Sequence, residues 1–187
     1  MVKIGSGFQL PSSIDLSILD TIPVMVHKYG DPQPDKGTFR WMTYVDEGNY
    51  SGSIGFARNV STFMPEVAEY VVDYLSGLMD IKFEPGRVNF MRTVGDVVPH
   101  RDEGGRVSCI NIGVRGGPNA ITRIGVHDNH ETFEAEHIDH IVEDGCAYVL
   151  DVSRLHAVKA VNKEPRLLLG YGFGVQASAV LTRLRKL

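Results

Sequence analysis

From Val88 onward the chain falls into short runs rich in Val, Ile, Tyr and Phe, among them "RVNFMRTVGDVVPHRD", "RVSCINIGV", "ITRIGV", "CAYVLDV" and "RLLLGYGFGV". Each run is closed by Gly, Pro, Asn or Asp, so the pattern predicts many short strands joined by turns, an all-β sandwich or barrel with no βαβ units. Within "RVSCINIGV" the alternation sets Val107, Cys109, Asn111 and Gly113 on one face and Ser108, Ile110, Ile112 and Val114 on the other. One stretch carries helical spacing instead. In "STFMPEVAEYVVDYLSGLMD", Pro65 suits a first helical turn, Glu66 suits the positive end of the dipole, and Val67, Val71, Tyr74 and Leu78 form one stripe. That stripe is expected to lie on a sheet.

Residues 1–60 mix short apolar runs with clusters such as "YGDPQPDKGT", which predicts a few strands and a mobile loop around residues 29–38. The cationic tail "ASAVLTRLRKL" reads as a short final helix, taken as a solvated end in preference to a homodimer contact. No internal repeat or low-complexity linker interrupts the chain. The expected organisation is one domain over residues 1–187, with N-terminal strands and helix in 1–87 and a β core in 88–175.

Composition narrows the class. The 187 residues, 43% hydrophobic and 22% charged, suffice for one well-buried core. A formal charge of −4 and a pI near 6.0 provide no overall basic field, which disfavours a dedicated nucleic-acid binder. Cys109 and Cys146 sit in strand-like surroundings, as buried reduced thiols do, and two cysteines make neither a disulfide scaffold nor a structural zinc site. The N-terminus lacks the apolar stretch of a signal peptide and no segment approaches the roughly 18 consecutive apolar residues of a membrane span. A cytoplasmic protein with no membrane partner is expected.

The chemistry concentrates in "VVPHRDEGGRVSCINIGV". Its His100-Arg101-Asp102 triplet also occurs in the catalytic loop of protein kinases, but those need an Asn five residues after the Asp, where Val107 stands here, and a later DFG, which is absent. The other use of His-x-Asp is a facial iron site, two ring nitrogens and one carboxylate on one face of Fe(II). The second histidine is found in "DGCAYVLDVSRLHAVKAVNKEPRLLLGYGFG" as His156, followed ten residues later by Arg166 at the start of a strand. Neighbouring strand ends in a barrel can bring such residues together, and i, i+2 spacing on a strand puts His100 and Asp102 on one face.

These elements in this order, "PHRD", "GCAYVLDVSRLHAV", Arg166 and the closing "LLLGYGF" strand, resemble the Fe(II)- and 2-oxoglutarate-dependent oxygenases over roughly residues 88–175. Within them the compact spacing and "LDVSRLHAV" look most like the aspartyl/asparaginyl β-hydroxylase and bacterial proline hydroxylase branch, from whose aspartyl/asparaginyl members Asp102 is a departure. The resemblance implies a mainly β double-stranded β-helix (jelly roll) with an N-terminal packing helix. It implies Fe(II) held by His100, Asp102 and His156, with 2-oxoglutarate as co-substrate and O2 as oxidant. The far carboxylate of 2-oxoglutarate needs a charged fork, and a guanidinium such as Arg166 stays protonated and binds carboxylate through two parallel bonds. The implied reaction is hydroxylation of an amino-acid substrate, free or in a peptide.

Asn111 is the polar exception on its strand face, either a hydrogen-bonding partner of 2-oxoglutarate or substrate or a satisfied core amide. Arg92, Arg101 and Arg106 flank the metal strands, as solvated arginines or as contacts for an acidic substrate. The loop at 29–38 and "DEGNYSGSIGF" are placed to close over the opening. The histidine-rich "HDNHETFEAEHIDH" matches no zinc spacing and reads as a polar hairpin, with His137 a minor alternative iron ligand. The competing functions are a cupin-like metal-binding protein or isomerase without co-substrate, a non-catalytic interaction module, and a nucleobase demethylase, the last disfavoured by the acidic balance.

Overall fold

The computed structural model describes residues 1–16, 24–27, 41–44, 53–57, 60–62, 64–102 and 105–185, with backbone alone for the strands at 24–27, 41–44 and 53–57. The alternating runs after Val88 become eight strands: β5 (Val88–Val94), β6 (Val97–His100), β7 (Ser108–Arg115), β8 (Ala120–Gly125), β9 (His137–Ile141), β10 (Ala147–Asp151), β11 (His156–Ala160) and β12 (Arg166–Phe173). They divide between two antiparallel sheets, with β10-β7-β12-β5 in one and β6-β11-β8-β9 in the other. From β5 to β12 every connection except β8 to β9 crosses from one sheet to the other, the double Greek key of a jelly roll. Four earlier strands precede this core: β1 (Val2–Gly5), β2 (Val24–His27), β3 (Trp41–Tyr44) and β4 (Ser53–Ala57). β1 adds to the β10 edge and β4 to the β5 edge, making the first sheet six-stranded, and β2 and β3 pair in parallel.

The predicted alternation of β7 has a physical counterpart on each side. Ile110 and Ile112 are buried beneath helix α1 (Pro65–Leu78), together with Val88, Phe90, Val149, Leu169 and Tyr171. Cys109 points the other way, into the barrel, packing with Tyr148, Leu150 and Leu168. Val97, Ala120 and Val158 form a separate apolar cluster contributed by the opposite sheet. A strand buried on both faces loses the apolar–polar signal of a half-exposed one, which is why β7, β10 and β12 read as nearly continuous apolar runs. On α1 the buried residues are Val67, Ala68, Val71 and Leu75, while Tyr74 and Leu78 are half-buried, so the stripe runs one position away from the predicted one at its C-terminal end.

The C-terminal tail corrects the expectation of a solvated end. It does form a short helix, α2 (Ala177–Leu181), but Val180 is buried in the α1 core, Leu184 bridges to Met79, and the Arg185 N–H donates to the Leu78 carbonyl at 2.9 Å. The tail therefore caps the C-terminal end of α1. The histidine-rich segment is a hairpin as expected, β8 and β9 pairing from Gly125 with His137 to Ile121 with Ile141. The loop at 29–38 lies outside the described residues. Of "DEGNYSGSIGF", residues 46–52 also lie outside them, while Ser53–Ala57 belongs to the edge strand β4 and is not a lid. Both cysteines are buried and free, and no described helix is long and apolar enough to cross a membrane.

The contact between α1 and the six-stranded sheet is the larger apolar cluster, and Leu75 is wholly buried in it. Leu75→Ala is expected to lower unfolding free energy by about 2–5 kcal/mol with the same fold retained, read from urea melts followed by circular dichroism.

Candidate metal and carboxylate site

His100 closes β6 and His156 opens β11, and the two are direct partners in the antiparallel register. The register is not uniform: Val97 faces Val158 and His100 faces His156, so three steps on β6 match two on β11. This is a β-bulge, and it occurs where Pro99 has no N–H to give to a ladder. Without the extra residue, Val97 and His100 would point to opposite faces. The bulge lets both look inward.

Each imidazole is then fixed by its own backbone. His100 Nδ1 lies 2.8 Å from the Val98 carbonyl and His156 Nδ1 lies 2.9 Å from the Arg154 carbonyl. A carbonyl only accepts, so each Nδ1 carries the proton and each Nε2 presents a lone pair. The rings sit 4.3 Å apart, centroid to centroid, at 51°. Burial first, and the neighbouring His100 ring second, push the His156 imidazole down to about 4, so it is neutral at pH 7.

Asp102 completes the group, though not as strand spacing predicted. β6 ends at His100, and Asp102 is held beyond it by its own N–H, which donates to the Val152 carbonyl at 3.1 Å. Its Oδ1 stands 3.8 Å from both Nε2 atoms. The three donor atoms lie within 4.8 Å of one another, the single such group of His, Cys, Asp or Glu among the described residues. Three acceptors facing one point with no donor between them is an unfavourable arrangement that a cation relieves. Two neutral imidazoles and one carboxylate form the set that suits Fe(II) with one face left open. The residues present fit that metal.

Arg166 begins β12 and is 1% exposed. Its Nη1 donates to Thr122 Oγ1 at 2.9 Å and to the Ala120 carbonyl at 3.4 Å, while its buried Nε has no hydrogen-bond partner. Among the described residues no carboxylate pairs with it. Burial lowers its pKa to about 10, which still leaves it protonated at neutral pH. Thr93 is its register partner on β5, also buried, and its hydroxyl likewise lacks a partner. An unpaired guanidinium beside an unsatisfied hydroxyl is a cradle for a carboxylate.

The register relates this cradle to the histidines. On β11, His156 pairs with Ile124 of β8, and two residues on Val158 pairs with Thr122, the residue Arg166 grips. Two residues of strand span roughly 6.6 Å. The cation thus lies about one strand repeat down the barrel from the imidazoles, the reach of an extended five-carbon dicarboxylate.

Asn111 is buried on the barrel face of β7, where its Oδ1 accepts from Cys109 Sγ at 3.5 Å. Burial pushes the Cys109 thiol up to about 12, so it is no thiolate ligand. Arg106 is not a solvated arginine: both its Nε, at 2.7 Å, and its Nη2 donate to Asp102 Oδ2. Arg101 does lie on the surface, paired with Asp128 at 2.6 Å. Arg92 alternates to the opposite face of β5 from Thr93. His137 stands apart from the triad, its Nδ1 on the Phe133 carbonyl at 2.9 Å and its Nε2 3.3 Å from Asp139. Thr93, Thr122 and the bond from Arg106 to Asp102 were not anticipated. The i, i+4 spacing of Asp102 and Arg106 was the available signal for the last.

The fold and site therefore define a jelly-roll protein with a facial His-Asp-His group and a buried cation beside it. No family model matches the chain, and no curated protein does. Among solved structures it is similar to the Escherichia coli ribosomal oxygenase YcfD, with 20% identity and a TM-score of 0.46 over 79% of this chain and 38% of that one. It is also similar to the non-heme α-ketoglutarate-dependent epimerase SnoN from nogalamycin biosynthesis, at 13% identity and a TM-score of 0.40, covering 64% and 60% of the respective chains. A predicted oxalate decarboxylase from Thermotoga maritima follows at 14% and 0.36, covering 67% and 84%. The chain spans little more than a third of the length of YcfD.

If Arg166 serves a ligand and not the fold, removing it together with Thr122 should cost little. Arg166→Met with Thr122→Val replaces both partners of a buried hydrogen bond by apolar groups of similar shape. The ligand-free double variant is expected to unfold within about 1 kcal/mol of wild type or to be more stable. Calorimetry or urea melts check this, and a structural salt link would show a much larger loss.

Proposed function

We propose that the protein is an Fe(II)- and 2-oxoglutarate-dependent dioxygenase, with His100, Asp102 and His156 as metal ligands and Arg166 as the anchor of the far carboxylate of 2-oxoglutarate. The observation that carries this reading is the buried guanidinium of Arg166, with no carboxylate among the described residues, about one strand repeat from three convergent donors. A structural cation would have its counter-charge in the fold. A bound carboxylate would supply the counter-charge, and the strand register sets Arg166 about one repeat from the metal donors, which suits a diacid that chelates at its other end.

Thr93 and Thr122 supply hydroxyls to the same carboxylate, and Asn111, on the barrel face of central strand β7, is available to the bound acid or substrate. Tyr148, Leu150, Leu168 and Cys109 line the interior and exclude water from the reacting centre. The backbone carbonyl on Nδ1 of each histidine holds its ring in the one tautomer that leaves Nε2 free. Bound there, Fe(II) and the 2-oxo acid supply oxidative decarboxylation coupled to oxidation of a substrate C–H bond. The substrate we infer is an amino acid, free or within a peptide, of prolyl or aspartyl/asparaginyl type; this rests on the resemblance carried by "LDVSRLHAV".

Anaerobic titration with Fe(II) and then 2-oxoglutarate tests the reading. The weak visible charge-transfer band of the chelate is expected in wild type, abolished in His156→Ala and weakened at least tenfold in 2-oxoglutarate affinity in Arg166→Ala. Fe(II) binding with no band and no dependence on Arg166 would establish the cupin-like alternative in its place. Binding of neither leaves the barrel an interaction module.

A further inference from the structure

We infer that Arg106 is a positioning residue that restricts Asp102 to one-oxygen coordination, and so keeps open the third metal position that O2 requires once 2-oxoglutarate is bound. This rests on the proposed metal site and adds a residue to it.

A carboxylate can bind a metal through one oxygen or both. With two histidines, one-oxygen binding fills three of six positions, and two-oxygen binding fills four. A chelating 2-oxo acid takes two more. Only the first case leaves a position for O2, so something must choose between them.

The geometry points to Arg106. Its Nε and Nη2 both donate to the same atom, Asp102 Oδ2, and neither of these bonds reaches Oδ1. Oδ1 is left equidistant, at 3.8 Å, from the two Nε2 atoms. The carboxylate is thus divided, one oxygen for the guanidinium and one for the point the imidazoles face. Charge-assisted bonds from a planar guanidinium are strong and directional enough to resist rotation of the carboxylate.

The fold braces both partners. The Asp102 N–H is tied to the Val152 carbonyl, while beyond Arg106 the Val107 N–H is tied to the Phe173 carbonyl at 2.8 Å. The Arg106 stem passes over Gly172 of β12, where a Cβ would lie 2.7 Å from Cδ and 3.2 Å from Cγ. Gly172 has no left-handed backbone requirement, so its lack of a side chain serves the passage of Arg106. A methyl group there displaces the guanidinium without changing any polar group of the site.

The experiment counts metal-bound waters on Mn(II)-loaded protein, by the broadening of Mn(II) EPR lines in 17O-enriched water, and measures 2-oxoglutarate affinity on the same samples. Wild type is expected to hold three waters. Arg106→Met is expected to hold two, and its 2-oxoglutarate affinity to fall at least tenfold while Mn(II) affinity stays equal or rises. Gly172→Ala should shift both readouts in the same direction, and Arg106→Lys, which keeps a charged donor, should restore the count towards three. A purely structural role for Arg106 would instead weaken Mn(II) binding and leave the count unchanged in whatever metal remains bound. Three waters and 2-oxoglutarate affinity within twofold of wild type in both Arg106→Met and Gly172→Ala overturn the inference while leaving the metal site standing. Failure of wild type to bind Mn(II) or Fe(II) overturns the metal site and this inference with it. Should Arg106→Met fail to fold, Gly172→Ala and Arg106→Lys decide the matter by the same counts.

Discussion

The pairing of β6 with β11 is the constraint on which the rest of the site depends. It makes His100 and His156 register partners, and a one-residue slip in either strand would turn one ring to the other face of the sheet. The bulge at Val98 and Pro99 fixes the register further, because a proline cannot enter a regular ladder on its hydrogen-bonding side. Once the rings are set, their Nδ1 atoms meet the carbonyls two residues upstream and the Nε2 lone pairs converge. Asp102 then needs only a short loop and one backbone bond to Val152 to join them. The metal group is therefore a consequence of strand pairing in the smaller sheet. The larger sheet contributes packing against α1 and the buried cation, Arg166.

The charges at this end of the barrel make sense only as a set. Arg106 and Asp102 form an ion pair, burial keeps the His156 imidazole neutral, and among the described residues the buried Arg166 guanidinium has no carboxylate partner. Burial depresses that cation without discharging it at neutral pH. In the proposed reading, a divalent metal would make this interior strongly positive, and a dianion reaching both the metal and Arg166 would restore balance. Metal and diacid thus stabilise each other's binding by ordinary electrostatics in a medium of low dielectric. Either alone leaves charge uncompensated.

Much of this was legible in the sequence, for identifiable reasons. Alternation and turn residues located β7, β8, β10 and β12, each followed within a few residues by Gly, Asn or Asp or ending on one, and Cys109 and Ile110 do lie on opposite faces of β7 as the alternation predicts; in the sequence β5 and β6 read as one run, and β11 is not singled out. His100, Asp102, His156 and Arg166 stood out in the sequence because their chemistry is rare and their order along the chain is informative, and the structure brings the first three together. What escaped had no periodic signature. Thr93 and Thr122 are common strand residues whose importance comes only from meeting Arg166, one as its register partner in the same sheet and the other across sheets, and Arg106 looked like any arginine in a glycine-rich loop. The tail was misread as solvated because its cationic surface outweighs, in composition, the single buried Val180 and the bridge from Leu184 to Met79. Contacts between distant segments cannot be counted from one of them.

The strongest physical reason to regard this end of the barrel as functional lies in where the structure departs from its own rules. Elsewhere apolar faces meet apolar faces, α1 starts at a proline, and surface arginines such as Arg101 and Arg87 have acidic or carbonyl partners, although Thr132 Oγ1 before β9 is also buried without a hydrogen-bond partner. Within about one strand repeat of His156 there are a proline inside a strand, three lone-pair acceptors facing one another and, among the described residues, a buried hydroxyl without a partner and a buried guanidinium without a counter-ion. Each departure is unfavourable taken alone. A fold tolerates several such costs in one place when they are relieved together by something that binds there. The proposed ligands would relieve each in turn: a cation for the acceptors, and an anion with two ends for the guanidinium and the metal.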